Sequence, residues 1–410
     1  MSKIEIVQEN IGVYIHIPFC QSKCDYCDFL SFSNKQEEQW NKYIDTLIGL
    51  ELQFGHSPPI DTIYIGGGTP TVLPTFLLQK LLKALPITLP NAEITCEANP
   101  GTLSKEKIAA LSDGGVNRIS LGLQAWQSHL LQNIGRTTDY PGLRTVHSTP
   151  TCQETDHYQK IFLENFKILR DYGFNNINVD IMFALPGQTL ADWEETLKKV
   201  ADLQPEHISA YGLTFEEETP LTLRLKKGCS GYDEEAYEEL LKSFEEIDRQ
   251  MYHLCKSFLQ ERGYIQYEIS NFCKPGYESR HNIKYWTRKH YVGCGLGAHS
   301  FEGNRWSNTT NFQQYLDADH LENIQIYDTN YADTSKSDAM AEFMFLGLRM
   351  TKGVSENIFL ENFGQSIFET YGPWITKMID DGLLQKHNSH IFLTDLGMDL
   401  ANVVMAGFLE

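Results

Sequence analysis

Six short apolar runs alternate with segments of helical period along this chain, and few folds accommodate that order. The runs are Tyr14–Ile17, Thr62–Ile65, Ile94–Glu97, Arg118–Gln124, Asn176–Phe183 and His207–Leu213. Between them, Glu37–Gln53 sets Trp40, Tyr43, Ile44, Leu47 and Leu50 on one helical face, and Ser104–Leu111, Tyr158–Tyr172 and Leu190–Leu203 read as further helices. Strand and helix in regular alternation predict an α/β domain, a parallel sheet with helices outside. Sheets of that kind bind ligands at the carboxyl ends of their strands. Cys20, Gly67, Glu97, Gln124 and Asp180 all fall at or near such ends, an agreement that says more than any one of them alone.

The first of those ends carries the most chemistry. Tyr14, Ile15 and Ile17 form the strand, Pro18 opens a loop, and Cys20, Cys24 and Cys27 follow at offsets of four and three residues. Three thiolates are one short of a closed set, because tetrahedral zinc and a four-iron cluster both take four ligands. A zinc knuckle needs a fourth Cys or His at short spacing, and the next cysteine, Cys96, is remote. The C-x3-C-x2-C pattern, with aromatic Tyr26 just before the third thiol, resembles the radical S-adenosylmethionine (SAM) superfamily. That resemblance implies a 4Fe-4S cluster on Cys20, Cys24 and Cys27, SAM on the fourth iron, and Tyr26 as a cover for the cluster.

Composition narrows the setting. At 410 residues the chain has room for one large domain and a smaller one. No apolar run approaches the roughly 18 residues of a membrane span, and Met1–Asn10 has neither an apolar signal core nor an Arg-rich transit pattern. No integral membrane segment is expected, and the cytoplasm is the default compartment. Nine cysteines, three of them packed into eight residues, argue for reduced thiols around one metal site and against a disulfide framework. A net charge of −20 and a pI near 5.1 repel phosphate backbones, so nucleic acid is not an expected partner.

Further motifs follow in order. Gly66-Gly67-Gly68-Thr69-Pro70-Thr71 ends the second strand, and three glycines there let a ligand approach bare backbone and meet its N–H groups. After it come Glu97-Ala98-Asn99-Pro100, Ser120-Leu121-Gly122-Leu123-Gln124, Gly135-Arg136, and the run from Val179 to Thr189. With the cysteine loop, this series resembles the radical SAM branch that contains the oxygen-independent coproporphyrinogen III oxidases and the haem chaperones. The resemblance covers nearly the whole chain and implies an open (β/α)6 partial barrel. It places Tyr14, Gly67, Gly68 and Thr69 against SAM and Glu97 on its ribose, with Gln124, Arg136 and Asp180 completing the nucleotide pocket or its neighbour. Taken singly, Asp180 reads equally well as a helix cap and Arg136 as a surface ion pair. One stretch departs from the pattern: Thr137–His157, ten of whose twenty-one residues are Thr, Ser, Pro or Gly, reads as an inserted surface loop at about 138–157, with His147, Cys152 and His157 as solvated residues.

Two features separate oxidase from chaperone. The oxidases resemble this loop but carry a fourth cysteine two residues after the third, where this chain has Phe29. Arg280-His281-Asn282-Ile283-Lys284-Tyr285-Trp286 matches the HNxxYW motif of the chaperones, which implies haem binding through His281. From chemistry alone, His281 reads as a loop histidine with Tyr285 and Trp286 packed beside it. His290, Cys294 and His299 lie close in sequence as candidate second ligands.

Between barrel and terminus, Phe215–Asp248 reads as an acidic loop and a solvated helix face, Asp248–Gly263 as a helix and Gln266–Ser270 as a strand. The tail forms a second unit. Ser337–Met350, Ser355–Phe363, Ser366–Asp380 and Thr394–Phe408 read as helices around a hairpin at Leu383–Lys386 and His390–Leu393, which resembles a winged helix. Three Lys against eight acidic residues over 351–410 oppose a DNA role. The expected division is therefore 1–325 for the barrel with its extension and 326–410 for a helical, winged-helix-like domain. The expected function is a haem chaperone that binds a 4Fe-4S cluster, SAM and haem and delivers haem to recipient proteins, with a homodimer left open. The alternatives are an oxygen-independent coproporphyrinogen oxidase-like enzyme and a cluster-free binding module.

Overall fold

A computed structural model describes residues 9–54, 58–136, 157–229, 233–327 and 335–409. Of the expected insertion only His157 falls within these residues, as the first residue of a helix.

Six strands run parallel and in chain order: β1 (Ile11–Ile17), β2 (Ile60–Gly67), β3 (Thr88–Ala98), β4 (Arg118–Gln124), β5 (Ile177–Phe183) and β6 (His207–Gly212). β1, β4 and β5 are buried over nearly their whole length, as strands covered on both faces must be. The intervening helices are α1 (Glu37–Thr46), α2 (Thr75–Lys83), α3 (Lys105–Asp113), α4 (Ser128–Asn133), α5 (His157–Asp171) and α6 (Leu190–Asp202). Local chemistry starts them where the sequence indicates: Ser104 Oγ accepts the Lys107 N–H, and Thr189 and Asp192 form a reciprocal capping box. α7 (Pro220–Gly228) and α8 (Glu234–Gln260) follow β6. The acidic segment and the helix expected from 248 are one 27-residue helix, whose buried residues all lie between Met251 and Leu259. Trp193 of α6 is fully buried, and its Nε1–H donates to the Met251 carbonyl at 2.9 Å, which locks α6 to α8.

The sheet extends beyond the expected barrel on both sides. β7 (Ile265–Glu268) and β8 (Asn271–Cys273) form a hairpin that adds antiparallel to β6. On the other edge, β9 (Tyr291–Cys294) pairs parallel with β1, followed outward by antiparallel β10 (His299–Glu302), β11 (Asn304–Asn308) and β12 (Gln325–Tyr327). Among the described residues the two edge strands of this sheet, β12 and β7, do not pair, so the barrel is open. Between the hairpin and β9 lies the short helix α9 (Arg280–Trp286), and α10 (Phe312–Leu316) packs near α1.

The expected boundary at 325/326 falls inside β12; a second core begins with α11 (Lys336–Gly347). It gathers Met344, Phe359, Ile375 and Ile391 from α11, α12 (Glu356–Phe363), α13 (Ile367–Asp380) and a small sheet of β13 (Val354–Ser355), β14 (Leu384–His387) and β15 (His390–Leu393). The expected terminal helix is two: α14 (Asp395–Asp399) and α15 (Ala401–Ala406). Gly397 lies so close to the Leu383 carbonyl that a Cβ would not fit, and the chain bends at Leu400 to turn Ala401 and Val404 into the core. The two units are joined by Glu342, which takes both Arg288 at 2.6 Å and Arg305 at 3.0 Å. Among the described residues no helix is long and apolar enough to cross a membrane.

Candidate cluster and nucleotide site

The cysteine loop leaves β1 through a hydrogen-bonded neck. Cys20 N–H donates to Phe32 O at 3.0 Å and Phe32 N–H to Pro18 O at 2.8 Å, while Phe19 is buried against Trp40, Tyr43 and Phe312. The glycine run packs directly onto this loop. A Cβ on Gly68 would sit 2.6 Å from the Phe19 carbonyl oxygen, and Gly67, at φ +112, would drive one into the His16 ring. Its N–H groups are not free for a ligand, contrary to the expectation from sequence. Gly67 donates to Glu97 Oε2, Gly68 to Ile17 O and Thr69 to Phe19 O, at 3.1, 2.9 and 2.7 Å. Close packing, more than ligand contact, is what the three glycines provide here.

Above the strand ends opens a cavity of about 410 Å³. Cys20, Cys24, Cys27 and Tyr26 line it together with Gly67, Gly68, Thr69, Glu97, Gln124, Arg136 and Asp180. Arg136 is buried, and its guanidinium donates to Asn99 Oδ1 at 2.5 Å and Gly122 O at 2.9 Å while reaching Cys24 Sγ at 3.7 Å. It is no surface ion pair, and the insertion that follows it leaves it inside the cavity. Asp180 is no helix cap: its carboxylate accepts Ser120 Oγ–H at 2.9 Å and Asn178 Nδ2–H at 2.8 Å. Gln124 turns at φ +69 where β4 bulges against β5, a conformation that few non-glycine residues adopt without a reason at the site. Asn99, Tyr64, Ser120 and Tyr211 also line the cavity. Asn99 and Ser120 lie in motifs named from the sequence but were not singled out as site residues, and Tyr64 and Tyr211 sit in strands with no motif of their own.

Burial sets the electrostatics. It pushes the Glu97 carboxyl up to about 7, against the Tyr64 hydroxyl at 2.8 Å and the Gly67 amide, which favour the ionised form. Burial likewise pushes the Cys27 thiol up to about 11, with Cys24 and Cys20 adding to the rise.

Two expected residues lie elsewhere. Tyr14 stands behind the lining, its hydroxyl 2.9 Å from His16 Nδ1 and its ring 6.2 Å from that of Tyr64. His281 is on α9 at the opposite, amino end of the barrel strands, fully buried, with Nδ1 2.9 Å from Thr62 Oγ1 and Nε2 2.8 Å from Tyr285 Oη. Burial, with Lys284 and Arg118 nearby, pushes its imidazole down to about 3. The expected haem ligand therefore offers no free ring nitrogen in this conformation. Glu93 holds α9 in place by accepting the Arg280 and His281 N–H groups, both at 3.1 Å. Of the candidate second ligands, Cys294 is buried with Sγ toward Glu51 O, His290 packs on Phe301 and His299 is exposed; none lines the cavity.

Among the described residues, no three His, Cys, Asp or Glu side chains converge as a single metal ion needs. Three thiols lining one cavity without converging on a single point fit a polynuclear cluster instead. The fold and this site define a radical SAM protein, and the family model of that superfamily matches residues 14–200, with a HemN C-terminal domain model matching 334–400. Similarity over the full length goes further. The chain is 36% identical to the haem chaperone HemW of Bacillus subtilis, covering 97% of this chain and 99% of the relative, and 29% identical to that of Escherichia coli, covering 97% and 98%. It belongs to the HemW family of the radical SAM superfamily. Among solved structures, the coproporphyrinogen III oxidase HemN of Escherichia coli matches with a TM-score of 0.75 over 99% of this chain and 91% of that one; at 19% identity this speaks for the fold alone.

Proposed function

We propose that this protein is a haem chaperone that carries a 4Fe-4S cluster on Cys20, Cys24 and Cys27, binds SAM in the cavity and passes haem to recipient proteins in the cytoplasm. In this reading Glu97 receives the ribose hydroxyls, Gly67, Gly68 and Thr69 form the shelf beside the cluster, and Gln124, Arg136 and Asp180 close the pocket, with Tyr14 supporting it from behind. When bound, the cluster supplies one-electron reduction of SAM. The chain's own residues orient the nucleotide and exclude water. The observation that carries the proposal is the 36% full-length identity to a relative named as a haem chaperone. Phe29, 65% exposed at the cavity rim where the resembling oxidases carry a further thiol, points the same way.

Haem needs an opening. For His281 to ligate haem iron, one ring nitrogen must give up its partner, Thr62 on β2 or Tyr285 on α9 itself, and become exposed, so the haem-loaded protein has an altered barrel floor in this reading. The test is anaerobic reconstitution with iron and sulfide, followed by two assays. Retention of haem without decarboxylation of coproporphyrinogen III is expected; product formation supports the oxidase alternative. An unchanged Soret band and affinity in His281→Ala would remove that residue from the haem site while leaving the rest standing.

A further inference from the structure

Asp25, the first of the two residues between the second and third thiols, is held from three directions. Asp25 donates its N–H to Ile134 O at 3.0 Å and accepts the Leu221 N–H at 2.9 Å on its carbonyl. Its carboxylate takes Arg224 Nη1–H at 2.5 Å, and the same guanidinium donates through Nη2 to Asn133 O, also at 2.5 Å. Arg224 and Leu221 lie on α7, about two hundred residues from the loop they touch; Asn133 and Ile134 end α4. Gly135, at φ +71, is pressed so closely on the Asp25 carboxylate that a Cβ would stand 2.6 Å from it. The next residue is Arg136, which reaches Cys24.

From this geometry we infer that Arg224 is a positioning residue for the cluster: it ties the cysteine loop, the α4 turn and α7 into one clasp that holds Cys24 and Cys27 toward the cavity. An isolated ion pair at this exposure would contribute little, since the Arg224 side chain is 52% exposed and the Asp25 side chain 28%. What distinguishes it is the second, fixed contact to a backbone carbonyl, which makes the planar fork bridge two segments at once. α7 follows Leu213, Thr214 and Glu216, which line the cavity after β6, so the clasp also joins the cysteine loop after β1 to the part of the lining contributed by the β6 end.

The inference rests on the cysteines holding a cluster, and the experiment keeps the two apart. Wild type, Arg224→Ala and Arg224→Lys are reconstituted anaerobically, and the decay of visible cluster absorbance under an iron chelator is followed. In parallel, hydrogen exchange of the Asp25 and Leu221 amides is measured in the iron-free proteins. With thermal unfolding unchanged, Arg224→Ala is expected to lose its cluster about tenfold faster, the low end of the effect of removing outer-shell support from a metal site. The lysine variant, which keeps one contact, falls between. Both amides exchange faster in the iron-free alanine variant. Equal decay and equal exchange in wild type and Arg224→Ala overturn the clasp. A wild type that holds no iron overturns the cluster reading, and the exchange comparison still decides on the clasp.

Discussion

The two ends of the barrel interior use similar polar side chains to opposite effect. At the carboxyl ends of the strands, Glu97, Asp180, Gln124 and Arg136 face a cavity with thiols on its wall. At the amino end, His281 and His207 have both ring nitrogens bonded within the chain, and Lys284 donates to Asn10 O at 3.0 Å. Gly12 leaves the space that His281 fills: a Cβ there would meet Lys284 and Thr62 at 2.9 Å. The floor has exceptions among the described residues: Arg118 Nε and, on α9, Trp286 Nε1 are buried without a hydrogen-bond partner. The difference teaches that a motif histidine in this fold is not automatically a ligand. Where the chain already satisfies both nitrogens, availability has to come from movement.

That contrast is broken most severely by serine replacement of Cys20, Cys24 and Cys27 together. All reconstitutable iron is expected to be lost while the melting transition persists, read by iron analysis beside calorimetry. At the floor, His281→Ala leaves the Thr62 and Tyr285 hydroxyls without their partner inside a packed layer, and a loss of about 2–4 kcal/mol by urea denaturation is expected. No loss would mean that the floor is not the closed layer described.

At the cavity, Glu97→Gln is expected to spare stability and weaken SAM by about tenfold, or ~1.4 kcal/mol, in calorimetric titration, because a carboxylate accepts hydroxyls more strongly than an amide. The pH dependence sharpens this. The unfolded chain releases this proton near 4.5 and the folded chain near 7. Between those values the unfolded state binds fewer protons, so the contribution of Glu97 to stability declines as pH rises through that window. Over the same range SAM binding strengthens as the carboxylate forms, and the glutamine variant loses both slopes. The smallest effect belongs to Phe29→Ser, where an exposed ring is removed at the rim and stability should change by less than about 0.5 kcal/mol.

The six parallel strands were legible because fully buried strands read as continuous apolar runs, and their ends placed Cys20, Gly67, Glu97, Gln124 and Asp180 around one cavity. β8 to β12 were not, since strands of three to five residues containing His, Asn and Gly carry no period of their own. The burial of His281 was equally hidden. It depends on Glu93 capping α9 from 188 residues away and on Thr62 meeting its ring from 219, separations that no local pattern encodes. The role of Asn99, named in a motif but not as a site residue, and the whole of Arg224 were hidden for the same reason, each defined by what a distant segment presents to it.

α9 has a second face. Ile283 and Trp286 pack with Met350, and the Arg349 guanidinium lies 4.4 Å from the Trp286 ring, so the terminal unit rests on the helix whose other side supplies His281. Any outward shift of that unit would pull on the same helix, so the underside of the barrel is coupled to the terminal unit through contacts that do not involve the thiols.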